Sequence, residues 1–228
     1  FGTTNASFKG LHLRDVNINE TVTPNVGALA RRIDATAAVQ PVVEHCSVSG
    51  KIIVNCVGYE YKAVAQYHEF MIGGLVGTLF GVAVDNCSSS AKIEVLSVVK
   101  ADNEKEIRPS IGGVIGANES FTSGDIKHLS PVTNCSNSGD INIKIGGNTI
   151  MLMAGGVIGV AFKNNADALI ENLYNSGNLT IDSNISKKET RIGGVVGWLY
   201  SNTFAHAVNS GTVTYNSGEF YYMHMGGV

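Results

Sequence analysis

The chain has little charge of either sign. Charged residues make up 15% of its 228 residues, and the formal net charge is −3. Proteins that bind nucleic acid usually carry a clustered basic surface, so we expect no nucleic-acid partner. Proline is also scarce, with 4 residues, whereas glycine reaches 27 and the apolar fraction is 44%. This composition disfavours both a disordered chain and a helical bundle.

Long hydrophobic runs are absent as well. The most apolar stretch, residues 150–162, is interrupted by Gly155, Gly156 and Gly159. A membrane-spanning helix needs about 20 apolar residues, so we expect no membrane span in this segment. The first residues do not form a signal peptide.

Cysteine is rare, and the four residues lack the paired spacing of a zinc site or the density of a disulfide scaffold. His68 and Glu69 begin like a zinc-peptidase motif, but Ile72 stands where the second histidine is required. The glycine-rich stretch 73–81 lacks the Lys-Ser/Thr ending of a phosphate-binding loop. We therefore expect no metal and no cofactor.

What the chain does contain is a repeat. One motif, here called the glycine motif, reads apolar-Gly-Gly-apolar-apolar-Gly. Its glycines in the four close copies are Gly73, Gly74 and Gly77; Gly112, Gly113 and Gly116; Gly155, Gly156 and Gly159; and Gly193, Gly194 and Gly197. A degenerate copy occupies 26–31 and a truncated one 225–228. The first glycines of successive copies are 46, 39, 43, 38 and 33 residues apart.

A second motif, here called the cysteine motif, alternates with the first and reads Asn-Cys-x-x-Ser-Gly in its clearest copy. Its copies lie at 43–52, 84–93, 132–141, 170–179 and 204–213, with a diverged one at 8–18. Equivalent positions hold Cys46, Cys87, Cys135, Leu173 and Ala207. Since cysteine exchanges with leucine and alanine, it is interpreted as a small core residue. The preceding positions, His45, Asn86, Asn134, Asn172 and His206, are predicted to form a polar ladder at a corner.

The repeat predicts a single all-β domain over residues 1–228. Apolar residues alternate with polar ones at 141–145, which indicates a strand with one buried face. The Ser-Gly pair is interpreted as a turn at which glycine supplies a positive φ, and the glycine motif as a closely packed strand. One repeat cannot cover its own apolar face, so stacking is expected: a parallel β-solenoid, or β-helix, of about six repeats of 33–48 residues. A β-propeller of four-stranded blades is the alternative, although the last interval of 33 residues leaves little room for a blade.

The alternation of the two motifs over 8–228 resembles the GLUG repeat family of bacterial surface and secreted proteins, which includes adhesins and spacer regions of IgA-type peptidases. The resemblance implies an extracellular, non-catalytic stalk or binding region. The first copy lacks the double glycine, and the last two lack the Asn-Cys pair. Phe1-Gly2 matches the end of a glycine motif and 225–228 its beginning, so a segment of a longer protein or an end-to-end assembly is expected.

Three functions follow from this fold. We favour a structural or adhesive region that self-associates end to end or stacks on neighbouring repeats. The alternative is a module that binds glycans or host surface proteins through insertions at 59–70, 100–110 and 118–129, with Tyr59, Tyr61 and Tyr67 as glycan contacts. A polysaccharide lyase or hydrolase is disfavoured, because its carboxylates should cluster and those of this chain are scattered. If the source is eukaryotic, Asn118 is the candidate for N-glycosylation.

Overall fold

The computed structural model describes residues 1–22, 25–55, 70–98, 108–146, 151–162, 164, 167–184, 189–200, 203–217 and 222–228. Its secondary-structure elements are strands, β1 to β27. They divide into six successive sets, here called rungs, which are given in chain order. Rung 1 contains β1 (Thr3–Thr4), β2 (Phe8–Lys9) and β3 (His12–Glu20). Rung 2 contains β4 (Ala30–Asp34), β5 (Val42–Glu44), β6 (Ser47–Asn55) and β7 (Met71–Gly73).

The later rungs repeat this order. Rung 3 contains β8 (Val76–Phe80), β9 (Ala83–Asp85), β10 (Ser88–Ser89), β11 (Lys92–Val98) and β12 (Ser110–Gly112). Rung 4 contains β13 (Ile115–Glu119), β14 (Phe121–Ser123), β15 (Ile126–His128), β16 (Val132–Thr133), β17 (Ser136–Asn137), β18 (Ile141–Gly146) and β19 (Met151–Gly155). Rung 5 contains β20 (Ile158–Ala161), β21 (Leu169–Asn175), β22 (Leu179–Asn184) and β23 (Glu189–Gly193). Rung 6 contains β24 (Val196–Leu199), β25 (Thr203–Asn209), β26 (Val213–Ser217) and β27 (Tyr222–Gly226).

Strands pair in parallel with their equivalents in the neighbouring rungs. One sheet has the order β1-β4-β8-β13-β20-β24, so it takes one strand from each rung. A second, 14-stranded sheet contains the cysteine motifs and the strands that follow them. A third has the order β27-β23-β19-β12-β7, and Val26 of rung 1 extends it through a bridge to Ile72. Within the described residues the hairpin β14–β15 is the one antiparallel pair.

The register places copies of each motif opposite one another. Ile111 pairs with Ile72 on one side and with Ala154 on the other, and Ala154 pairs with Ile192. The all-β, parallel part of the prediction is confirmed. A propeller blade would pair strands within one repeat, whereas these strands pair between repeats. The described ranges form neither a propeller nor a closed barrel.

The interior is a set of apolar columns that run across the rungs. One column contains Ile52, Ile93, Ile141 and Leu179, each at most 1% exposed. Burying an isoleucine or leucine side chain contributes about 1.5–3 kcal/mol, and each member is covered by the rungs above and below it. Contacts between rungs therefore contribute to the hydrophobic stabilisation.

The insertions enter at two different corners. The segments at 59–70 and 100–110 connect β6 to β7 and β11 to β12, which is the same place in consecutive rungs. The third, 118–129, begins inside β13 and includes the hairpin β14–β15, before the cysteine motif of rung 4. The third segment therefore lies at a different corner from the other two. In rung 4, β13 extends beyond the end of the glycine motif, and the hairpin β14–β15 follows it before the cysteine motif begins.

Candidate functional site

The corner before each cysteine position has a left-handed backbone. His45, Asn86, Asn134, Asn172 and His206 have φ values between 51° and 54°, and Gly10 of rung 1 has a φ of 65°. Asparagine and histidine are among the few non-glycine residues that adopt this conformation readily. The column predicted as a polar corner ladder is thus the position at which the chain changes direction in every rung.

The cysteine side chains lie just inside this corner. Cys46, Cys87 and Cys135 are each 1% exposed and are free thiols. Each thiol donates to the carbonyl two residues earlier, at 3.3 Å to Glu44 O, 3.3 Å to Asp85 O and 3.2 Å to Thr133 O. A cysteine at this place therefore fills the core and satisfies a carbonyl next to the left-handed residue.

The pKa values of the three thiols shift in different directions. Hydrogen bonding to Cys87 and burial raise the pKa of the Cys135 thiol well above its ordinary value of 9.0, whereas the hydrogen bond with Cys135 lowers the pKa of Cys87. Burial raises the pKa of Cys46. Since the thiolate is the reactive and metal-binding form, the raised pKa values favour a packing role for Cys46 and Cys135.

A ladder of asparagines, which the sequence analysis did not identify, lies further along the cysteine motif. Asn137 and Asn175 are each 1% exposed. Asn137 Nδ2 donates to Asn175 Oδ1 at 2.9 Å, and Asn175 Nδ2 donates to Asn209 Oδ1 at 2.8 Å. Each Nδ2 also donates to the carbonyl two residues later: Gly139 O, Gly177 O and Gly211 O. The sequence feature that could have identified this ladder is Asn-Ser-Gly, which the last three copies of the cysteine motif share.

The asparagine ladder explains the second glycine of the glycine motif. A Cβ at Gly113 would lie 2.4 Å from Asn137 Cγ, and one at Gly156 would lie 2.4 Å from Asn175 Cγ. A Cβ at Gly74 would lie 2.4 Å from Ser89 Oγ. The same relation holds between Gly194 and Asn209. Glycine is required here because a side chain of the cysteine motif and the carbonyl oxygen of the next second glycine both occupy the space.

The first and third glycines meet across rungs. A Cβ at Gly112 would lie 2.6 Å from Gly159 N, and one at Gly155 would lie 2.6 Å from Gly197 N. Gly73 approaches Gly116 N in the same way, at 2.8 Å. The remaining third glycine, Gly77, would place a Cβ 2.5 Å from Arg31 O. Close backbone approach explains these positions, as predicted for glycine inside strands.

The Ser-Gly glycines behave differently from the prediction. Gly50 has a positive φ of 116°, but no positive φ occurs at Gly139, Gly177 or Gly211. A Cβ at Gly139 would lie 2.1 Å from Ala91 O, and one at Gly177 would lie 2.1 Å from Gly139 O. The interpretation of these three glycines as left-handed turn residues is therefore wrong. They allow the carbonyl of the preceding rung to approach.

Asn118 is not a glycosylation site in this fold. It lies in β13, is 0% exposed, and its Nδ2 donates to Ser130 O at 2.8 Å. It pairs with Leu79 and Ala161, so it occupies a core column and not an insertion loop. A glycan on this nitrogen has no room. The candidate glycan contacts Tyr59, Tyr61 and Tyr67 lie outside the described residues.

The scattered carboxylates considered for an enzyme have polar neighbours on adjacent strands. Glu94 Oε2 lies 2.9 Å from Lys51 Nζ, and its Oε1 lies 2.9 Å from Lys92 Nζ. Asp85 Oδ1 accepts from Thr133 Oγ1 at 2.6 Å and from Asn134 Nδ2 at 2.7 Å, which lowers the pKa of Asp85. The contacts with Lys51, Thr133 and Asn134 link neighbouring rungs, whereas Lys92 lies on the same strand as Glu94.

Glu119 lies beside the hairpin, and burial raises the pKa of its carboxyl group. Asn164 Nδ2 donates to its Oε1 at 2.6 Å. Within the described part of the chain, no three histidine, cysteine or acidic side chains form a possible metal site. The same residues include no helix that could cross a lipid bilayer.

The two end rungs expose the apolar columns that are buried elsewhere. At one end, Phe1 is 75% exposed, although its column neighbours Ala30 and Val76 are at most 1% exposed. At the other, Met225 is 46% exposed, whereas Ile192 of rung 5 is 2% exposed. An open cleft of about 620 Å³ lies along the outer edge of β24 and β27. These surfaces are called the N-terminal face and the C-terminal face.

Comparison with known proteins adds no relative: no protein-family model, no curated protein and no solved structure matches this chain.

Proposed function

We propose that the chain is a non-catalytic structural repeat region that winds as a β-solenoid and acts as a spacer or adhesive stalk at a cell surface or outside the cell. One observation carries this proposal: the motif positions of all six rungs pair in parallel register with their equivalents in the neighbouring rungs. The GLUG-like alternation of motifs supports the same location and role, but by resemblance.

The length of such a region along the stacking axis limits how far it can hold another domain from a surface. Rungs joined by backbone hydrogen bonds lie about 4.8 Å apart, so six of them span about 29 Å along the stacking axis. A single 228-residue unit is therefore short. Holding a ligand-binding domain far from a surface requires several such units in series, either in one chain or in an assembly.

The rung-to-rung ladders suit this mechanical role. The three parallel sheets and the asparagine ladder both run along the stacking axis. Separating two rungs therefore breaks many hydrogen bonds at once.

Tandem fusions test the proposal. Joining Val228 of one copy directly to Phe1 of the next restores the sequence Met-Gly-Gly-Val-Phe-Gly. If the solenoid continues, the maximum dimension from small-angle X-ray scattering should increase by about 29 Å with each added copy. Control fusions with a long flexible Gly/Ser linker should give a broad distribution of dimensions. If the direct fusions behave like these flexible controls, the units do not form a continuous stalk.

Glycan or host-protein binding remains the competing function, and a glycan array addresses it. Saturable binding that is lost when the tyrosine-containing insertion 59–69 is replaced by a short glycine linker would favour a recognition module. The spacer proposal expects no such binding.

A further inference from the structure

The three cysteines of the cysteine motif are adjacent members of one column. Ser88 N donates to Cys46 O and Ser136 N donates to Cys87 O, both at 3.0 Å, so the parallel ladder runs directly through these positions. Equivalent residues of hydrogen-bonded strands lie about 4.8 Å apart, and the Cα atoms of a disulfide are usually about 4.4–6.8 Å apart. The spacing of neighbouring cysteines in this column is therefore compatible with a disulfide.

Two of these thiols, Cys87 and Cys135, are hydrogen-bonded to each other, and each is 1% exposed. From this geometry we infer that they form a modification site, at which a peroxide oxidises both thiols to a disulfide that joins rung 3 to rung 4. In the reduced state Cys135 packs as a core residue, and in the oxidised state it is the partner of Cys87. The inference goes beyond the proposed function and does not depend on it.

The reaction balances with hydrogen peroxide as the oxidant. The Cys87 thiolate attacks one peroxide oxygen, so that an S–O bond forms, the O–O bond breaks, and the departing hydroxide becomes water with the proton that the thiol released. The Cys135 sulfur then attacks the Cys87 sulfur, so that the S–S bond forms, the S–O bond breaks, and hydroxide leaves with the Cys135 proton as a second water. The hydrogen bond with Cys135 lowers the pKa of Cys87, which favours Cys87 as the first thiol to react.

The backbone around the pair tolerates the loss of both thiol protons. In the reduced state Cys87 donates to Asp85 O at 3.3 Å, and Cys135 donates to Thr133 O at 3.2 Å. Each of these carbonyls also accepts from the backbone N–H of the left-handed residue in the preceding rung, at 3.1 Å. Oxidation therefore leaves neither carbonyl without a hydrogen bond, which would be costly in the core.

The contacts of the column favour Cys135 over Cys46 as the partner. Cys87 contacts both neighbours, and its stronger hydrogen bond is to Cys135. The Cys46 thiol donates towards rung 1, to Phe8 O at 3.6 Å. Because Cys87 can form a disulfide with only one neighbour, we expect Cys46 to remain reduced.

A small oxidant can reach this pair through the corner. Asn86 and Asn134, which directly precede the two cysteines, are exposed. Each buried thiol therefore belongs to a residue next to the protein surface in sequence. Since hydrogen peroxide is close to water in size, a local opening of the corner is sufficient.

Treatment of the folded protein with hydrogen peroxide tests the site. Cys56 lies outside the described residues, so the full chain with Cys56→Ser serves as the parent and contains three thiols. After treatment and unfolding in urea with an alkylating reagent, one thiol should be alkylated instead of three, and the intact mass should be lower by two hydrogen atoms. Tryptic digestion without reductant should give two peptides joined through Cys87 and Cys135. Three alkylated thiols, or sulfinic acid without a disulfide, would overturn the inference.

Two alanine variants of this parent distinguish Cys135 from Cys46 as the partner. Alanine is a native residue of the column at Ala207, so it is a matched replacement. Cys46→Ala should form the disulfide like the parent and retain no thiol, whereas Cys135→Ala should retain both of its thiols. Equal loss of thiols in the two variants would refute the pairing. A peptide pair joined through Cys46 and Cys87 as the main product of the parent would also refute it, and this result does not require the variants to fold.

Burial of the pair gives an independent readout once the disulfide has formed. A thiol reductant attacks a disulfide sulfur directly, so a bond between two residues that are each 1% exposed should be reduced at least about tenfold more slowly in the folded protein than in urea. Alkylation of the released thiols over time, followed by mass spectrometry, measures both rates. Equal rates in the folded and the unfolded protein would contradict a bond between these two positions.

Discussion

Removing the central member of the asparagine ladder should destabilise the fold strongly. Asn175 makes three side-chain hydrogen bonds: its Nδ2 donates to Gly177 O and to Asn209 Oδ1, and its Oδ1 accepts from Asn137 Nδ2. Each bond contributes about 1 kcal/mol, and a buried partner left unpaired costs about 1–3 kcal/mol more. Because Asn175 is 1% exposed, water cannot replace these partners easily. We expect Asn175→Ala to lower the free energy of unfolding by about 3–5 kcal/mol.

Two other asparagine-to-alanine variants serve as comparisons for Asn175→Ala. Asn209 lies in the last rung and is partly exposed, so Asn209→Ala should cost less than Asn175→Ala. Asn55→Ala, on the exposed end of β6, is the control and should change the free energy of unfolding by less than about 0.5 kcal/mol. Urea unfolding followed by circular dichroism measures all three variants.

A double-mutant cycle distinguishes the loss of the ladder's hydrogen bonds from a simple loss of side-chain volume. In Asn137→Ala/Asn175→Ala, no unpaired amide remains between the two positions, so the double variant should be less destabilised than the sum of the single variants. We expect a coupling of about 1 kcal/mol or more between these neighbours. Additive effects, or a cost for Asn175→Ala below about 1 kcal/mol, would refute the account of the ladder as a connected network.

Two further predictions follow from the motif positions. Gly113→Ala should cost about 3 kcal/mol or more, because its Cβ would lie 2.1 Å from Gly156 O, whereas Gly227→Ala, at the same motif position with nothing within 4 Å, should leave the urea midpoint unchanged. Equal midpoints for the two alanine variants would contradict the steric argument. Bonds from Thr133 and Asn134 lower the pKa of Asp85 below 3.8, so its contribution is present above that value and is lost as the pH falls through the folded pKa. The difference in urea midpoint between wild type and Asp85→Asn should therefore shrink between pH 6 and pH 2.5, and a constant difference would argue against this linkage.

The parallel pairing between repeats was predictable because two independent patterns indicated it. The residues within the glycine motif keep the same order in each close copy, and the apolar positions of the strand at 141–145 alternate. Together they determine which residues face inward, and the register then follows, since a slip of one residue would expose a whole column. Pairing of Ile111 with Ile72 is the result.

The local backbone was harder to predict. A positive φ was predicted for the glycine of the Ser-Gly pair, because glycine adopts it most easily. The left-handed residues are instead those of the predicted corner column, which includes His45 and Asn86. The usable signal was a column restricted to asparagine, histidine and glycine. Asn137 was missed because Val48 and Ser89 hold the same position in earlier rungs, so the column has no single chemistry. Asn118 was placed in a loop, although counting from Gly116 would have placed it beside Leu79 in the core.

The second glycine of the glycine motif packs against the asparagine position of the cysteine motif, but this contact is not made at every copy. Where a cysteine-motif side chain abuts the glycine, as at Gly156, an added Cβ would collide with Asn175. At Gly227 the space is open. Gly227→Ala should therefore leave the free energy of unfolding unchanged, whereas Gly156→Ala should lower it, a contrast that the backbone flexibility of glycine alone does not explain.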